Sequence, residues 1–262
     1  MQPWRHRRVV AMTSGGGAAA FSPLDISGLQ LWLDASQIAG LNDGDAVGTW
    51  SDLSGTGNNA TQATASKKPT FKTNQINGRP VVRFDGVDDV LEYANQLFTF
   101  TGNASVFVVV KVSAAIAGNF PAIIADHTGS PTSCTVCPQV YPNSGVEFCT
   151  DVGYPGGVRA NSTNSTGTYY LLTVAWQDWQ NHKTNGLTKI RVNQAAKTVV
   201  SYGANPASFS SGSKFIGSFT GGIYGPIDFF NGDIAELLVY QAYLSASDIS
   251  QVEQYLSSRY GL

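Results

Sequence analysis

The acidic residues that lie closest together in this chain follow a short apolar segment. Asp85, Asp88, Asp89 and Glu92 form this group, and Gly86 favours a turn directly after the first of them. Glycoside hydrolysis needs two carboxyl groups about 5 Å apart, which carboxylates alternating along one strand would supply. The chain has no alternating Glu-x-Asp-x-Glu segment. The group therefore predicts either a structural Asp-rich turn or, through Asp88 and Asp89, a ligand-binding site.

The histidines show no pattern typical of a catalytic base. His6, His127 and His182 all lie in polar segments, where an imidazole is usually solvated. The chain also lacks a Gly-x-Ser-x-Gly elbow, a phosphate-binding loop and a dinucleotide-binding fingerprint. We therefore predict that the chain is not an enzyme, with no catalytic residues and no cofactor.

The three cysteines allow three different chemistries. Cys134 and Cys137 form a Cys-x-x-Cys pair, and a disulfide from Cys149 to one of them would leave an odd thiol. Three free thiols, or a zinc site completed by His127, are the alternatives. The sequence leaves these alternatives open. We name all three cysteines as disulfide candidates and predict no metal site.

Two tryptophans are candidates for stacking on a sugar. Trp176 ends an apolar segment that also contains Tyr169 and Tyr170, and Trp179 follows it in a polar segment. Aromatic faces pack against the C–H faces of sugars, but aromatic residues in strands more often belong to the core. Trp179 lies beyond the strand and is therefore the better candidate for exposure. We predict Trp176 and Trp179 as ligand-binding residues, with core packing as the alternative.

The first 22 residues lack hydrophobic periodicity and combine a basic cluster with a Gly/Ala-rich stretch. Arg5, Arg7 and Arg8 carry the charge, which would be solvated or would contact an acidic partner. The apolar part of the segment is too short and too rich in glycine for a signal peptide. We expect a flexible arm over residues 1–22 that contacts other protein subunits, followed by one domain over residues 23–262.

The composition limits the remaining partners. The net charge of −2 creates no overall attraction for nucleic acid. No apolar run reaches the roughly 18 residues of a membrane span. Charged residues make up only 13% of the chain, and the scarcity of Lys and Glu argues against a helical protein. We therefore expect neither nucleic-acid binding nor membrane insertion, while a homo-oligomer remains possible.

The elements that would position these residues are mostly strands. Residues 105–112 form a nearly continuous apolar run, as in a buried central strand. A C-terminal helix is also predicted, because Ser245 can cap it and Gly261 follows its apolar face. We expect that helix to close one edge or end of the domain. Further strands are predicted at 29–34, around Trp50, and at 80–84, 123–125, 146–148, 158–159, 169–176, 190–193, 197–200, 215–217 and 234–240, with 190–193 and 197–200 as a hairpin. About a dozen strands with one helix predict an all-β, two-sheet antiparallel sandwich.

Five segments, taken in order, resemble the LamG-like (laminin G-type, concanavalin A-like lectin/glucanase) modules of bacterial surface proteins and phage structural proteins. They are residues 31–36 (LWLDAS), 50–55 (WSDLSG), 58–62 (NNATQ), 80–89 (PVVRFDGVDD) and 232–240 (GDIAELLVY). The resemblance covers about residues 24–262. It implies a jelly-roll of two curved sheets whose concave face or rim loops make the contacts. Many such modules hold a structural calcium ion through an acidic residue in the last segment, but Ala235 stands where Asp is common.

This resemblance suggests a function but does not name a partner, because the architecture hosts lectins, hydrolases, lyases and adhesion modules. We expect a structural or adhesion module of a larger assembly, as in a phage virion (a capsid decoration, head-fibre or tail-associated protein). Its localisation would then be the virion, and it would also bind surface glycans. A secreted or surface lectin-like domain and a polysaccharide-degrading enzyme with an unrecognised site are the alternatives.

Overall fold

The computed structural model describes residues 21–98, 102–113, 121–126, 135–141, 145–151, 157–160, 164–177, 188–202, 214–220 and 226–262. These ranges contain mostly strands, and the helix α1 (Ala246–Tyr260) follows the last of them. The strands are β1 (Leu29–Asp34), β2 (Thr49–Trp50), β3 (Ala60–Thr61), β4 (Thr70–Ile76), β5 (Arg79–Asp85), β6 (Leu91–Glu92), β7 (Ala104–Val112), β8 (Ile124–Asp126), β9 (Thr135–Tyr141), β10 (Gly145–Asp151), β11 (Gly157–Ala160), β12 (Tyr169–Trp176), β13 (Thr188–Val192), β14 (Ala195–Ala196), β15 (Val199–Tyr202), β16 (Lys214–Ile216), β17 (Ser218–Thr220), β18 (Pro226–Phe229) and β19 (Asn231–Tyr240).

The strands form two large antiparallel sheets and a separate hairpin. Sheet A has the order β14-β13-β12-β7-β19-β5-β4, and β1 pairs with the C-terminal half of β19. Sheet B has the order β15-β11-β10-β9-β8-β16-β6-β3-β2, and the hairpin consists of β17 and β18. The predicted fold class, an all-β antiparallel sandwich with one C-terminal helix, is confirmed for the described part of the chain.

Strand β7 explains the nearly continuous apolar run. Val108 and Val110 belong to the core between the two sheets. Phe107 and Val109 belong to a second apolar cluster on the other face of sheet A, beneath α1. Because sheet B covers one face of β7 and the helix covers the other, both faces exclude water and both favour apolar residues.

The ends of helix α1 follow from its local sequence. The Ser245 side chain accepts a hydrogen bond from the backbone N–H of Asp248 at 3.1 Å. At the other end, Gly261 adopts the left-handed conformation with a φ of 73°. A residue without Cβ adopts this conformation at little cost, so the helix stops there. Both predicted ends are confirmed.

The helix lies on the outer face of sheet A, so its predicted position at an edge or end of the sandwich is wrong. Ile249, Val252 and Leu256 are buried on one side of it, together with Val109 and Leu171 of the sheet. The physical reason is the second apolar face of sheet A, which needs a cover as much as the first does. Burial of a large aliphatic side chain contributes about 1.5–3 kcal/mol.

A charged side chain fastens the helix to the sheet near its middle. Glu253 is 1% exposed. Its carboxylate accepts hydrogen bonds from Arg191 Nε at 2.8 Å and from Arg191 Nη2 at 3.0 Å. Thr173 donates a further hydrogen bond to Glu253 Oε1 at 2.8 Å. The buried carboxylate is therefore paired, as a charge in a low-dielectric site must be.

The hairpin predicted at 190–193 and 197–200 is only partly correct. Strand β13 pairs with β14, and the turn between them contains Asn193 and Gln194, both with positive φ. This geometry is typical of tight two-residue hairpins. The next strand, β15, instead pairs with β11 in sheet B. The chain therefore crosses from one sheet to the other within the predicted second strand.

In the described ranges, no helix is long and apolar enough to cross a membrane.

Candidate functional site

An open groove with a volume of about 590 Å³ lies along one side of α1. It is bounded by the helix, by the start of β5 and by the first described residues of the chain. We call it the helix groove. Its lining side chains combine aromatic rings, amides, a hydroxyl and guanidinium groups: Phe21, Arg79, Gln251, Gln254, Tyr255, Ser258 and Arg259.

Two aromatic rings give the helix groove an apolar part. Phe21 and Tyr255 pack edge to face, with ring centroids 5.9 Å apart at an interplanar angle of 61°. The Arg259 guanidinium lies 5.8 Å from the centroid of the Tyr255 ring. Phe21 and the neighbouring Ser22, which caps a short turn at Pro23–Asp25, therefore belong to the folded domain rather than to the predicted arm.

A β-bulge in β19 positions a buried acid behind the helix groove. The register with β7 shifts between Ile234 and Glu236, leaving Ala235 as the extra residue. Ile234 and Leu237 both face the inter-sheet core, whereas Ala235 lies in the cluster under the helix. The bulge turns the Glu236 side chain onto the helix side of sheet A. Without the bulge, simple alternation from Ile234 would have placed it in the inter-sheet core.

Glu236 is fully buried and fully bonded. Its Oε1 accepts hydrogen bonds from Trp32 Nε1 at 2.8 Å and from the Tyr255 hydroxyl at 3.0 Å. Its Oε2 accepts one from the Tyr260 hydroxyl at 2.8 Å and lies 3.2 Å from Arg259 Nε. Burial raises the pKa of Glu236 to about 7. This carboxyl fixes the orientation of Tyr255 and has no exposed oxygen to offer a ligand.

Arg259 is balanced by acids on the protein side of the groove. Its Nη2 bonds to Asp34 and to Ser36 Oγ, the latter at 2.6 Å, while its Nε faces Glu236. Burial opposes the charge of Arg259, but the hydrogen-bonded Tyr260 side chain and the nearby Asp34 and Glu236 together raise its pKa. Its charge is therefore engaged within the fold.

Arg79 reaches the helix groove from a tight hairpin. Ile76 pairs with Arg79 across Asn77 and Gly78, whose φ angles are 45° and 73°. An Asn-Gly pair with positive φ is favoured in two-residue hairpin turns. Arg79 Nε then donates to the carbonyl oxygen of Arg259 at 2.9 Å, and Asn77 Nδ2 donates to the same oxygen at 3.1 Å. The hairpin thereby caps the C-terminal end of α1.

The predicted acidic group forms a turn at the far end of β5 from Arg79. Asp85 Oδ1 accepts from the backbone N–H of Val87 at 2.8 Å, and Asp89 Oδ2 accepts from the backbone N–H of Asp85 at 2.9 Å. Gly86 has a φ of 78°, and a Cβ there would lie 2.7 Å from Asn231 Cβ. The predicted Asp-rich structural turn is thus present.

The same turn brings three carboxylates together. One oxygen from each of Asp85, Asp88 and Asp89 lies within 4.8 Å of the others. Burial, together with the neighbouring charge of Asp85, raises the pKa of Asp89 to about 6. This geometry fits a cation, but the Asp85 and Asp89 carboxylates also accept the backbone hydrogen bonds that stabilise the turn. Ligand binding by Asp88 and Asp89 stays a prediction.

The calcium site implied by the LamG-like resemblance does not fit β19. Ala235 offers no oxygen from its side chain. The neighbouring acids in the strand are already engaged, Glu236 by the donors described above and Asp233 by Arg83, Lys111 and Tyr169. Ammonium, guanidinium and hydroxyl groups occupy the lone pairs that a calcium ion would need.

Of the two predicted sugar-stacking residues, Trp176 is corrected to a core residue. It is 1% exposed and packs against Phe98, with ring centroids 5.3 Å apart. It lies on the inner face of β12, so its ring offers no open face to a sugar. Trp179 lies outside the described residues.

The strand register brings two of the three disulfide candidates opposite each other. Strands β9 and β10 pair so that Cys137 lies directly opposite Cys149. Cys134 lies outside the described residues, as do His127 and the arm residues Arg5, Arg7 and Arg8. The expected role of the arm therefore stays a prediction.

Sequence reasoning did not find the helix groove. Its residues come from three distant parts of the chain, and only the docking of α1 on sheet A brings them together. One local signal was present: the Asn77-Gly78 pair between 70–76 and 79–85 predicts a hairpin that ends at Arg79. The predicted strands do not include this hairpin, and they therefore miss strand β4 and the position of Arg79.

No family model matches this chain, and no curated protein matches it in sequence. Solved structures do resemble its fold. The sialidase of Trypanosoma rangeli in complex with sialic acid aligns with a TM-score of 0.51 and 14% identity, covering 93% of this chain and 34% of that one. The same sialidase with 2,3-difluoro-KDN aligns with a TM-score of 0.53, 14% identity and coverages of 97% and 36%.

The botulinum neurotoxin serotype D binding domain aligns with a TM-score of 0.55 and 14% identity, covering 87% of this chain and 52% of that one. This chain thus spans about a third of the sialidase chains and about half of the toxin chain. At such identities the likeness shows a shared β-sandwich fold.

The prediction that this chain is not an enzyme is contradicted by these comparisons, because sialidases are among the structures with the same fold. The prediction rested on missing sequence motifs. A fold that occurs in both enzymes and binding domains does not support that exclusion.

Proposed function

We propose that this chain is a carbohydrate-binding β-sandwich module and that the helix groove binds the glycan. The observation that carries the proposal is the composition of the groove, where the rings of Phe21 and Tyr255 lie beside the amides of Gln251 and Gln254. Glycan sites need both an apolar face for the C–H surface of the sugar and polar groups for its hydroxyls.

The geometry of Tyr255 supports this role. Its hydroxyl is held by Glu236 and its ring by Phe21 and Arg259. An aromatic ring that is already ordered loses little side-chain entropy when a ligand packs against it. Around this ring, Gln254 and Ser258 are exposed and offer donors and acceptors from the same side of α1.

The comparisons support the same class of ligand. One similar structure holds sialic acid, and another is the binding domain of a toxin. They support a binding role through the fold alone.

We further propose that this module is LamG-like and works within a larger assembly, with a phage virion as the first candidate. The basic cluster Arg5, Arg7 and Arg8 would contact neighbouring subunits, and the sandwich would contact surface glycans. What supports this extension is the order of the LamG-like segments in the sequence. A secreted or cell-surface lectin-like domain is the alternative location for the same binding activity.

A glycan array probed with the full chain tests the proposal. We expect selective binding of some glycans, with the affinity reduced about fivefold by Gln254→Ala, because one net hydrogen bond contributes about 1 kcal/mol. Gln241→Ala is the matched control, since Gln241 is also exposed but lies outside the helix groove. An array without signal, or equal loss in both variants, would contradict the proposal. Mass spectrometry of the recovered glycans reports whether a bound glycan is also cleaved.

A further inference from the structure

The charges that line the helix groove are all of one sign. Arg79 and Arg259 contribute guanidinium groups, and no carboxylate lines the groove among the described residues. The remaining polar lining residues, Gln251, Gln254 and Ser258, are neutral. A neutral sugar would need no such asymmetry.

The two guanidinium groups differ in what already balances them. Arg259 is paired with Asp34 and faces Glu236. Arg79 forms no ion pair with any described residue. Its Nε donates a hydrogen bond to the carbonyl oxygen of Arg259, and its guanidinium lies 5.8 Å from the centroid of the Tyr260 ring. Nη1 and Nη2 of Arg79 form no hydrogen bond within the described part of the chain.

The position of Arg79 is fixed although its outer donors are free. The two-residue turn at Asn77 and Gly78 sets its backbone, while the Nε hydrogen bond and the Tyr260 ring orient its planar group. Arginine donors in a fixed plane match the two oxygens of a carboxylate or sulfate. Because the group is held in place beforehand, less entropy is lost when an anion binds.

We propose that the helix groove selects acidic glycans, with Arg79 as the residue that binds the carboxylate or sulfate group. This proposal rests on the proposed function, since it names the class of glycan bound at the same site. The anionic group would lie at the β5 end of the groove, and the sugar ring would extend along α1 toward Tyr255 and Gln254.

The first test compares matched ligands with the full chain by isothermal titration calorimetry. The probes are an oligogalacturonate and its methyl ester, and a sulfated heparin tetrasaccharide and its desulfated form. We expect at least one acidic probe to bind ten or more times more tightly than its neutral partner. The pair that shows this difference distinguishes carboxylate from sulfate. Equal affinity within both pairs would overturn the acidic preference and leave the proposed function standing, whereas no binding to any probe or to any glycan on the array would overturn both.

Variants then test the residue. Arg79→Gln should lower the affinity for the acidic probe to about that for its neutral partner. Because Arg79 also caps α1, the melting temperature of this variant must be compared with that of the unmodified chain. Ser258→Glu provides a second test at an exposed residue. It adds a negative charge to the rim of the groove and should lower the affinity for acidic probes at least fivefold. Ser250→Glu, exposed on the same helix outside the groove, is its control. Equal effects of the two Glu variants, or an acidic preference that survives Arg79→Gln, would overturn the proposal.

Discussion

The side chain of Asp126 is buried with only one of its oxygens satisfied. Asp126 Oδ2 accepts backbone hydrogen bonds from Leu97 at 2.7 Å and Phe98 at 3.0 Å. Its Oδ1 is buried without a partner in the described part of the chain. Burial raises the pKa of Asp126 to about 6, so the folded state binds a proton more tightly than the unfolded state does.

This raised pKa predicts a direction of pH dependence. A carboxyl whose pKa is higher when folded stabilises the protein below its unfolded pKa, and this contribution is lost as pH rises through about 6. Asp126→Asn removes the ionisation. We expect the stability of this variant relative to the unmodified chain to improve by about 2 kcal/mol between pH 4 and pH 7.

Urea denaturation at both pH values measures this difference. Glu92→Gln, which removes an exposed carboxylate, is the control. Asp89 titrates in the same direction, but it is present in both chains and its contribution cancels. A stability difference that stays constant from pH 4 to pH 7 would show that Asp126 does not titrate as its burial implies.

At the residue scale, the sequence predicted turns better than it predicted exposure. The Asp85–Gly86 turn was predictable because glycine and the short Asp side chain act locally. The burial of Trp176 was not, because it depends on which face of β12 meets sheet B. A continuous apolar strand has no polar face to mark the side that water reaches.

At the element scale, the link between α1 and sheet A depends on a few polar pairs. Glu253 is buried and binds Arg191 and Thr173. Glu253→Ala leaves Arg191 Nε and the Thr173 hydroxyl without an acceptor, and we expect a loss of about 3 kcal/mol in unfolding free energy. Gln251→Ala, on the exposed side of the same helix, should change stability by less than about 0.5 kcal/mol. Urea denaturation checks both variants, and equal losses would show that the pair does not hold the helix.

The register of β9 and β10 predicts which cysteines pair under oxidising conditions. Directly opposed residues in an antiparallel ladder have Cα atoms about 4.5–5.5 Å apart, within the range that a disulfide spans. We therefore expect a Cys137–Cys149 disulfide, with Cys134 as the remaining thiol. Peptide mapping of the air-oxidised chain without reduction checks the connectivity. A disulfide that includes Cys134, or three alkylated thiols, would contradict the predicted Cys137–Cys149 disulfide.

The elements themselves were largely predictable where periodicity or capping is strong. Strand β7 and helix α1 follow from an apolar run and from the pair Ser245 and Gly261. The placement of α1 was not predictable, because the helix covers a face of sheet A that exists only after the strands have paired. The bulge at Ala235 was not predictable for the same reason, because it is a register shift between two paired strands that turns the Glu236 side chain toward the helix.

At the scale of the whole molecule, the proposed arm predicts a difference in assembly. We expect the full chain to form oligomers, or to join a particle, that a truncated chain beginning at Phe21 does not. The truncation keeps Phe21 because its ring packs on Tyr255 and lines the helix groove. Light scattering coupled to size exclusion measures both masses. Identical masses at every concentration would contradict a role of residues 1–20 in self-assembly.

The central claim is that a glycan binds in the helix groove, and an NMR titration of the full chain with a glycan selected on the array tests it most directly. The backbone amides of Gln254 and Ser258 report on the groove, and those of Asp88 and Asp89 report on the acidic turn at the other end of β5. We predict saturable shifts at Gln254 and Ser258, with Asp88 and Asp89 unchanged. Shifts confined to the acidic turn, or no shifts at either place, would contradict the account.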